Sequence, residues 1–152
     1  ANLLMPLDDY RRQIRPSERV TFDMLAHCVD RYSVSLSAAT LRWLSYTEKR
    51  AVLVVSRDGF ILWARSSTPA LKTGAHFRTS AGPIAIPPAS LAATPAAISS
   101  ETGVIKHPGN VWFSEPLVET SIAIEHYEYV FSLLLLEDNP PFNFEDWRAR
   151  CP

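Results

Sequence analysis

The side chains able to do chemistry fall into a few clusters along the chain. Asp23 and His27 lie one helical turn apart with Cys28 adjacent, so a helix there would put metal-ligand types on one face. A catalytic zinc needs about three protein ligands and a structural one about four. No His-x-x-x-His, cysteine pair or further clustered acid joins them, so no metal site is expected within this chain. Ser99-Ser100-Glu101, with His107 downstream, has the residue types of a serine hydrolase but no Gly-x-Ser-x-Gly elbow, and the stretch reads as a loop. Glu115, Glu119, Glu125 and Glu128 are carboxylates that could pair for acid–base work; placed along strands, they read as solvent-facing. His76, His107 and His126 stand singly, as surface or satisfied core histidines do. The five glycines are not spaced as a phosphate-cradling loop, and no catalytic residue is assigned.

Binding is better served than catalysis. Trp63, Trp112, Tyr127 and Tyr129, with Phe113 and Phe131, give the second half of the chain the aromatic density of a small-molecule pocket. The long segments 66–82 and 95–109 could fold over that pocket as lids. A second candidate surface lies further upstream. Two short helices joined at Tyr32-Ser33-Val34-Ser35 have the outline of a helix-turn-helix, whose second helix would offer Ser37, Thr40 and Arg42 to DNA or a protein partner. Major-groove reading relies on Arg, Lys, Asn and Gln, so this face favours a structural helix pair over a nucleic-acid reader.

The elements that must position these residues follow from periodicity. Phe22, Leu25, Val29 and Tyr32 form a helical stripe behind Thr21 as N-cap, and Leu36, Ala39 and Trp43 form another behind Ser35. A helix opening after Pro6 carries Asp8 and Asp9 in its first turn and Arg11, Arg12 and Arg15 toward its end, as the helix dipole favours. Beyond Thr47 the period becomes strand-like. Segments 51–56 and 60–66 flank Arg57-Asp58-Gly59, a hairpin signal. Further strands are expected at 83–86, 111–114, 118–125 and 129–136, with a brief helix at 89–93 and a loop over 95–109. Phe142, Phe144 and Trp147 would cover a core edge. The resulting class is α+β: short N-terminal helices, then a mostly antiparallel sheet of about five or six strands. A helical segment of residues 1–47 and a sheet domain of residues 48–152 are expected.

Composition bounds the remaining possibilities. The 152 residues are 47% hydrophobic and 20% charged with a net charge of −1, which describes a globular chain able to bury a core without staples. Residues 1–50 carry eight basic and six acidic groups and residues 51–152 seven and ten, far from a nucleic-acid footprint. Two distant cysteines, Cys28 and Cys151, fit a reducing, cytoplasmic setting, and no apolar run approaches the ~20 residues of a membrane span. Leu3, Leu4 and Met5 are apolar with no cap ahead of them, as though the chain began inside a helix of a longer protein.

That start carries a resemblance. Ala1-Asn2-Leu3-Leu4-Met5-Pro6 resembles the "FAxxLLMP" segment of the ImmA/IrrE family of zinc metallo-endopeptidases. Residues 29–39, followed by Arg42-Trp43-Leu44, are similar to that family's "AxxFxVSxxAxxxRL" helix pair. The hairpin around Arg57-Asp58-Gly59 and the Val111-Trp112-Phe113 run resemble a GAF-like (GAF/PAS-like) sensor region of longer members. The resemblance implies a parent hydrolase that cuts a helix-turn-helix repressor after a stress or DNA-damage signal, and so regulates transcription. This chain contains no HExxH, so none of the family's zinc residues is carried over. What the resemblance implies here is a non-catalytic regulatory region that receives a small-molecule signal or docks the repressor. Whether the sheet domain forms a homodimer stays open.

Overall fold

The computed structural model describes residues 6–93, 103–124 and 129–138. Helix α1 (Leu7–Gln13) starts behind Pro6, and its Asp8, Asp9, Arg11 and Arg12 are ordered by charge along the dipole. In α2 (Phe22–Tyr32) the Thr21 hydroxyl accepts from the Met24 amide at 3.3 Å, and in α3 (Leu36–Leu44) Ser35 accepts from Ala38 at 3.1 Å. Both expected caps therefore satisfy otherwise unpaired helix donors. Between these helices Ser33 adopts φ 51°, the left-handed conformation that ends α2 and turns the chain.

A bidentate contact locks the first helix to the second. Asp9 accepts from Arg31 Nε at 3.0 Å and Nη2 at 2.9 Å, and from the Tyr32 hydroxyl at 2.5 Å. The Arg31 and Tyr32 hydrogen bonds hold the Asp9 carboxyl down at about 2, while burial and Asp9 push the Tyr32 phenol up to about 12. Because the folded value of Asp9 lies below its ordinary one, the clip's stabilisation is fully present above about pH 4 and is lost as pH falls through about 2. Urea midpoints should accordingly drop between pH 4 and pH 2, and Asp9→Asn should flatten that segment of the profile. An unchanged slope in the variant would show that other carboxylates govern acid unfolding.

Strands β1 (Ala51–Arg57) and β2 (Phe60–Ser66) form the expected hairpin, with Asp58 at φ 53° and Gly59 at φ 81°. Two positive φ values in a two-residue loop are what a turn matching strand twist requires. An extra residue, Leu62, bulges from β2 opposite Val55 and Ser56 and stays exposed. A short helix, α4 (Thr68–Lys72), follows behind Ser67 as N-cap. Then come 3₁₀ turns at Thr79–Ala81 and Leu91–Ala93, β3 (Gly103–His107), β4 (Leu117–Ile124) and β5 (Tyr129–Leu136). The strands form a five-stranded sheet in the order β2-β1-β5-β4-β3, with every named pairing antiparallel. The class is α+β.

Three local expectations change. Segment 111–114 is a loop rather than a strand, because Pro108-Gly109-Asn110 turns the chain just before it and its aromatic side chains bury as a plug. Conversely, β3 lies within the stretch expected to be a loop. As an edge strand it alternates exposed and covered residues weakly, with Val104 65% exposed. Residues 83–86 contribute only a bridge, Phe60 to Ala85, flanked by Ile61 N–H to Ile84 O at 2.9 Å and Ile86 N–H to Gly59 O at 2.8 Å.

Both faces of the sheet are covered. On one face Ala51, Leu53, Val55, Phe131, Leu133 and Leu135 pack against Tyr10, Leu25, Cys28 and Trp43 of the helices. On the other, Val52, Val54, Val130, Leu134 and Leu136 lie under α4 and the loops through Ala70, Ala75, Ile86, Ala92 and Trp112. Strands β1 and β5 are thus buried on both faces, which is why they read as continuous apolar runs. Among the described residues no helix is long and apolar enough to cross a membrane.

Candidate functional site

The register of β4 and β5 places a polar group inside the loop-covered face. Ser121 pairs with Ser132 and Glu119 with Leu134, so Glu119, Ser121 and Ser132 project toward the same layer as Leu117, Val130 and Leu136. His107 pairs with Leu117, one step along the same face. Two loop segments complete the set: residues 87–93 bring Ser90 and Leu91, and residues 108–116 bring Trp112.

Glu119 is the hub, with 0% of its surface exposed. Its Oε1 lies 2.8 Å from His107 Nε2 and accepts from Trp112 Nε1 at 2.9 Å. Its Oε2 accepts from Ser90 Oγ at 3.0 Å, the Leu91 amide at 3.2 Å and Ser121 Oγ at 2.5 Å. Ser121 Oγ in turn lies 2.8 Å from Ser132 Oγ. A carboxylate offers about four lone-pair sites, and here every one is engaged. An isolated buried carboxylate would cost several kcal/mol, roughly, and this hydrogen-bond set is what makes its burial tolerable.

Saturation also limits the chemistry. With both oxygens occupied, Glu119 has no free lone pair with which to take a proton from a substrate. His107 spends Nε2 on Glu119, and among the described residues no serine hydroxyl bonds His107. The arrangement gathers five donors on one carboxylate.

A second buried polar contact fixes the 108–116 loop. Arg50 meets Glu115 side by side, Nη1 to Oε1 at 2.6 Å and Nη2 to Oε2 at 2.7 Å, and also donates from Nε to Thr73 Oγ1 at 2.9 Å and from Nη1 to the Glu137 carbonyl at 3.0 Å. Within the loop the Asn110 amide donates to Phe113 O at 2.6 Å. A Cβ on Gly109 would lie 2.5 Å from the Ser114 carbonyl oxygen, so only glycine fits that close approach. Phe77 packs edge-on to Trp112 at 5.9 Å and stacks on Phe113 at 4.8 Å, forming an aromatic wall above the hub.

No protein-family model matches this chain, and no curated protein matches it either. The site therefore rests on its own geometry.

The residues singled out from sequence separate. Trp112 belongs to the hub, whereas Trp63 packs on the opposite, helix-covered face of the sheet, so the two tryptophans do not line one cavity. Tyr129 shares the Phe131 face at the end of β5, beneath Arg57, whose guanidinium carbon lies 5.4 Å from the ring centroid. Tyr127 lies outside the described residues, as do Ser99, Ser100, Glu101 and Cys151, the LLM start and the Phe142–Trp147 aromatics. In α3, Thr40 is buried with its hydroxyl donating to the Leu36 carbonyl at 2.8 Å, while Ser37 and Arg42 are half-buried. No residue of α3 is exposed. His27 meets Gln13 at 3.0 Å rather than Asp23, and among the described residues no three His, Cys, Asp or Glu side chains gather as a metal site. The reading of Glu115 and Glu119 as solvent-facing is corrected: both are buried.

Proposed function

We propose that this chain is a regulatory, non-catalytic sensing module of the ImmA/IrrE type, acting in the cytoplasm. A small-molecule signal would be received on the loop-covered face and passed through the sheet to the helices that dock a helix-turn-helix repressor. In that reading the parent's zinc and its peptidase residues lie outside this chain, and the GAF-like (GAF/PAS-like) label applies to the sheet.

The observation that carries the reading is the Glu119 cluster. An apolar layer gains no stability from a carboxylate that well-packed aliphatic groups could replace, so a fully buried, fully bonded one favours recognition or specificity. Two further features support it. The face is closed by the five-residue helix α4 and irregular segments rather than by a layer of long helices, as ligand-admitting faces commonly are. The saturated carboxylate suits binding better than catalysis. Signal reception is assigned to the sheet rather than to DNA contact by the helix pair because α3 offers no exposed residue.

The test is fragment mapping by amide and indole NMR shifts on the 152-residue chain. Saturable shifts should centre on His107, Trp112, Ser121 and Leu134. Shifts confined to α1–α3, or none from a diverse fragment set, would overturn the assignment.

A further inference from the structure

We propose that Glu119 is the recognition group for a small organic cation bearing N–H donors, an amine or amidine, and that residues 87–93 form a strap occupying the place such a ligand would take. The proposal rests on the sensing role above and names the chemistry of its ligand.

The two carboxylate oxygens are held differently. Oε1 meets His107 of β3 and Trp112, whose loop is anchored by the Glu115–Arg50 pair. Oε2 receives one donor from its own strand, Ser121, and two from the strap, Ser90 Oγ and the Leu91 amide. Other hydrogen bonds of residues 87–93 stay inside the strap: Ser90 N–H to Pro87 O, Ala93 N–H to Ser90 O and Ala92 N–H to Ser90 Oγ. Among the described residues, then, the strap's hydrogen bonding to the rest of the protein goes through one carboxylate oxygen. Its remaining hold is apolar. Ala92 is buried in the second core, and Leu91 lies over Gly103, where a Cβ would come within 2.8 Å of Leu91 Cδ1. Gly103 thus provides the room in which the strap sits.

A ligand that displaced the strap would find Oε2 with two vacated donor positions and, beside it, the apolar space of Leu91 and Ala92. The chemistry that fits is an N–H donor group on a flat or aliphatic body. Charge selects further. The donors from Ser90, Leu91, Trp112 and Ser121 are electrically neutral. Every donor to a carboxylate makes a charge-assisted bond, and a cationic one adds the Coulomb attraction of an ion pair in a low-dielectric site, so it outcompetes the strap where a neutral analogue does not.

The probes are benzamidine and its neutral isostere benzamide, titrated into the 152-residue chain. The readouts are the Trp112 Nε1–H signal and hydrogen exchange of the Leu91 amide. Benzamidine should shift the indole signal saturably and bind roughly tenfold more tightly than benzamide, with faster Leu91 exchange as the strap leaves. Ser90→Ala, which removes a strap donor and leaves Glu119 intact, should tighten benzamidine binding about fivefold by lowering the cost of opening. Glu119→Gln should abolish the preference for the cation. Unchanged or weaker binding in Ser90→Ala, equal affinity for the two probes, or no saturable shift with benzamidine would each overturn the proposal. If other fragments still bind this face, the sensing role survives that failure; if none does, both fall.

Discussion

Glu119→Ala should lower the unfolding free energy by about 4 kcal/mol. The substitution strands the Trp112 indole N–H, the Leu91 amide and the ring nitrogen of His107 in a layer sealed from water. Each buried donor left without an acceptor costs about 1–3 kcal/mol. The total is less than their sum because Ser121 can turn to Ser132 and the layer can relax around the missing carboxylate. Glu119→Gln is the informative companion. Its carbonyl oxygen can still serve His107 and Trp112, but its amide hydrogens face three donors where Oε2 had accepted, so a loss of about 2 kcal/mol is expected. Urea unfolding followed by tryptophan fluorescence and by far-ultraviolet dichroism measures both. A Glu119→Ala variant within 1 kcal/mol or so of the parent would mean that the five-donor arrangement is not held in solution.

What the sequence reveals about this site and what it hides follow from the range of the interactions. The Thr21 and Ser35 caps and the Asp58-Gly59 turn are local, with donor and acceptor within a few residues, and they form where the residue types place them. The α+β class follows from the change of hydrophobic period near Thr47. Glu119 is misread because alternation identifies an outward face only when one face of the sheet meets water. Here helices cover one face and loops the other, so strand parity says which layer a residue enters and not whether it is exposed. A weak signal is present nonetheless. Ser132 is the single polar residue in the apolar run of β5, and Glu119 and Ser121 are spaced two apart in β4, the pattern expected of a polar pair facing one partner across the sheet. The separation of Trp63 from Trp112 has no such signal. Aromatic composition counts rings without assigning them to faces, and the Leu62 bulge resets the parity of β2 partway along the strand.

The pairing of Arg50 with Glu115 spans 65 positions and is equally invisible to local patterns, yet its energetics can be anticipated from burial. Arg50 is 2% exposed and Glu115 8%, and the guanidinium meets the carboxylate through two parallel bonds. Arg50→Met should cost about 4 kcal/mol, and Glu115→Leu about 3 kcal/mol, because each leaves an opposite charge buried without its partner. The double variant should recover to within about 1 kcal/mol of the parent, since two apolar groups of similar volume replace a pair whose desolvation cost had offset most of its attraction. The resulting coupling, about 6 kcal/mol or more, is measurable by a double-mutant cycle in urea. The cycle also reports on the site. Glu115 ends the loop that carries Trp112, so each single variant should leave Trp112 more accessible to acrylamide quenching, while the double variant restores its protection. Quenching that stays raised in the double variant would mean that the ion pair positions the loop by direction as well as by energy. A coupling below about 1 kcal/mol would place the pair among solvent-screened contacts and remove the anchor on which the rigidity of the Oε1 side of Glu119 depends.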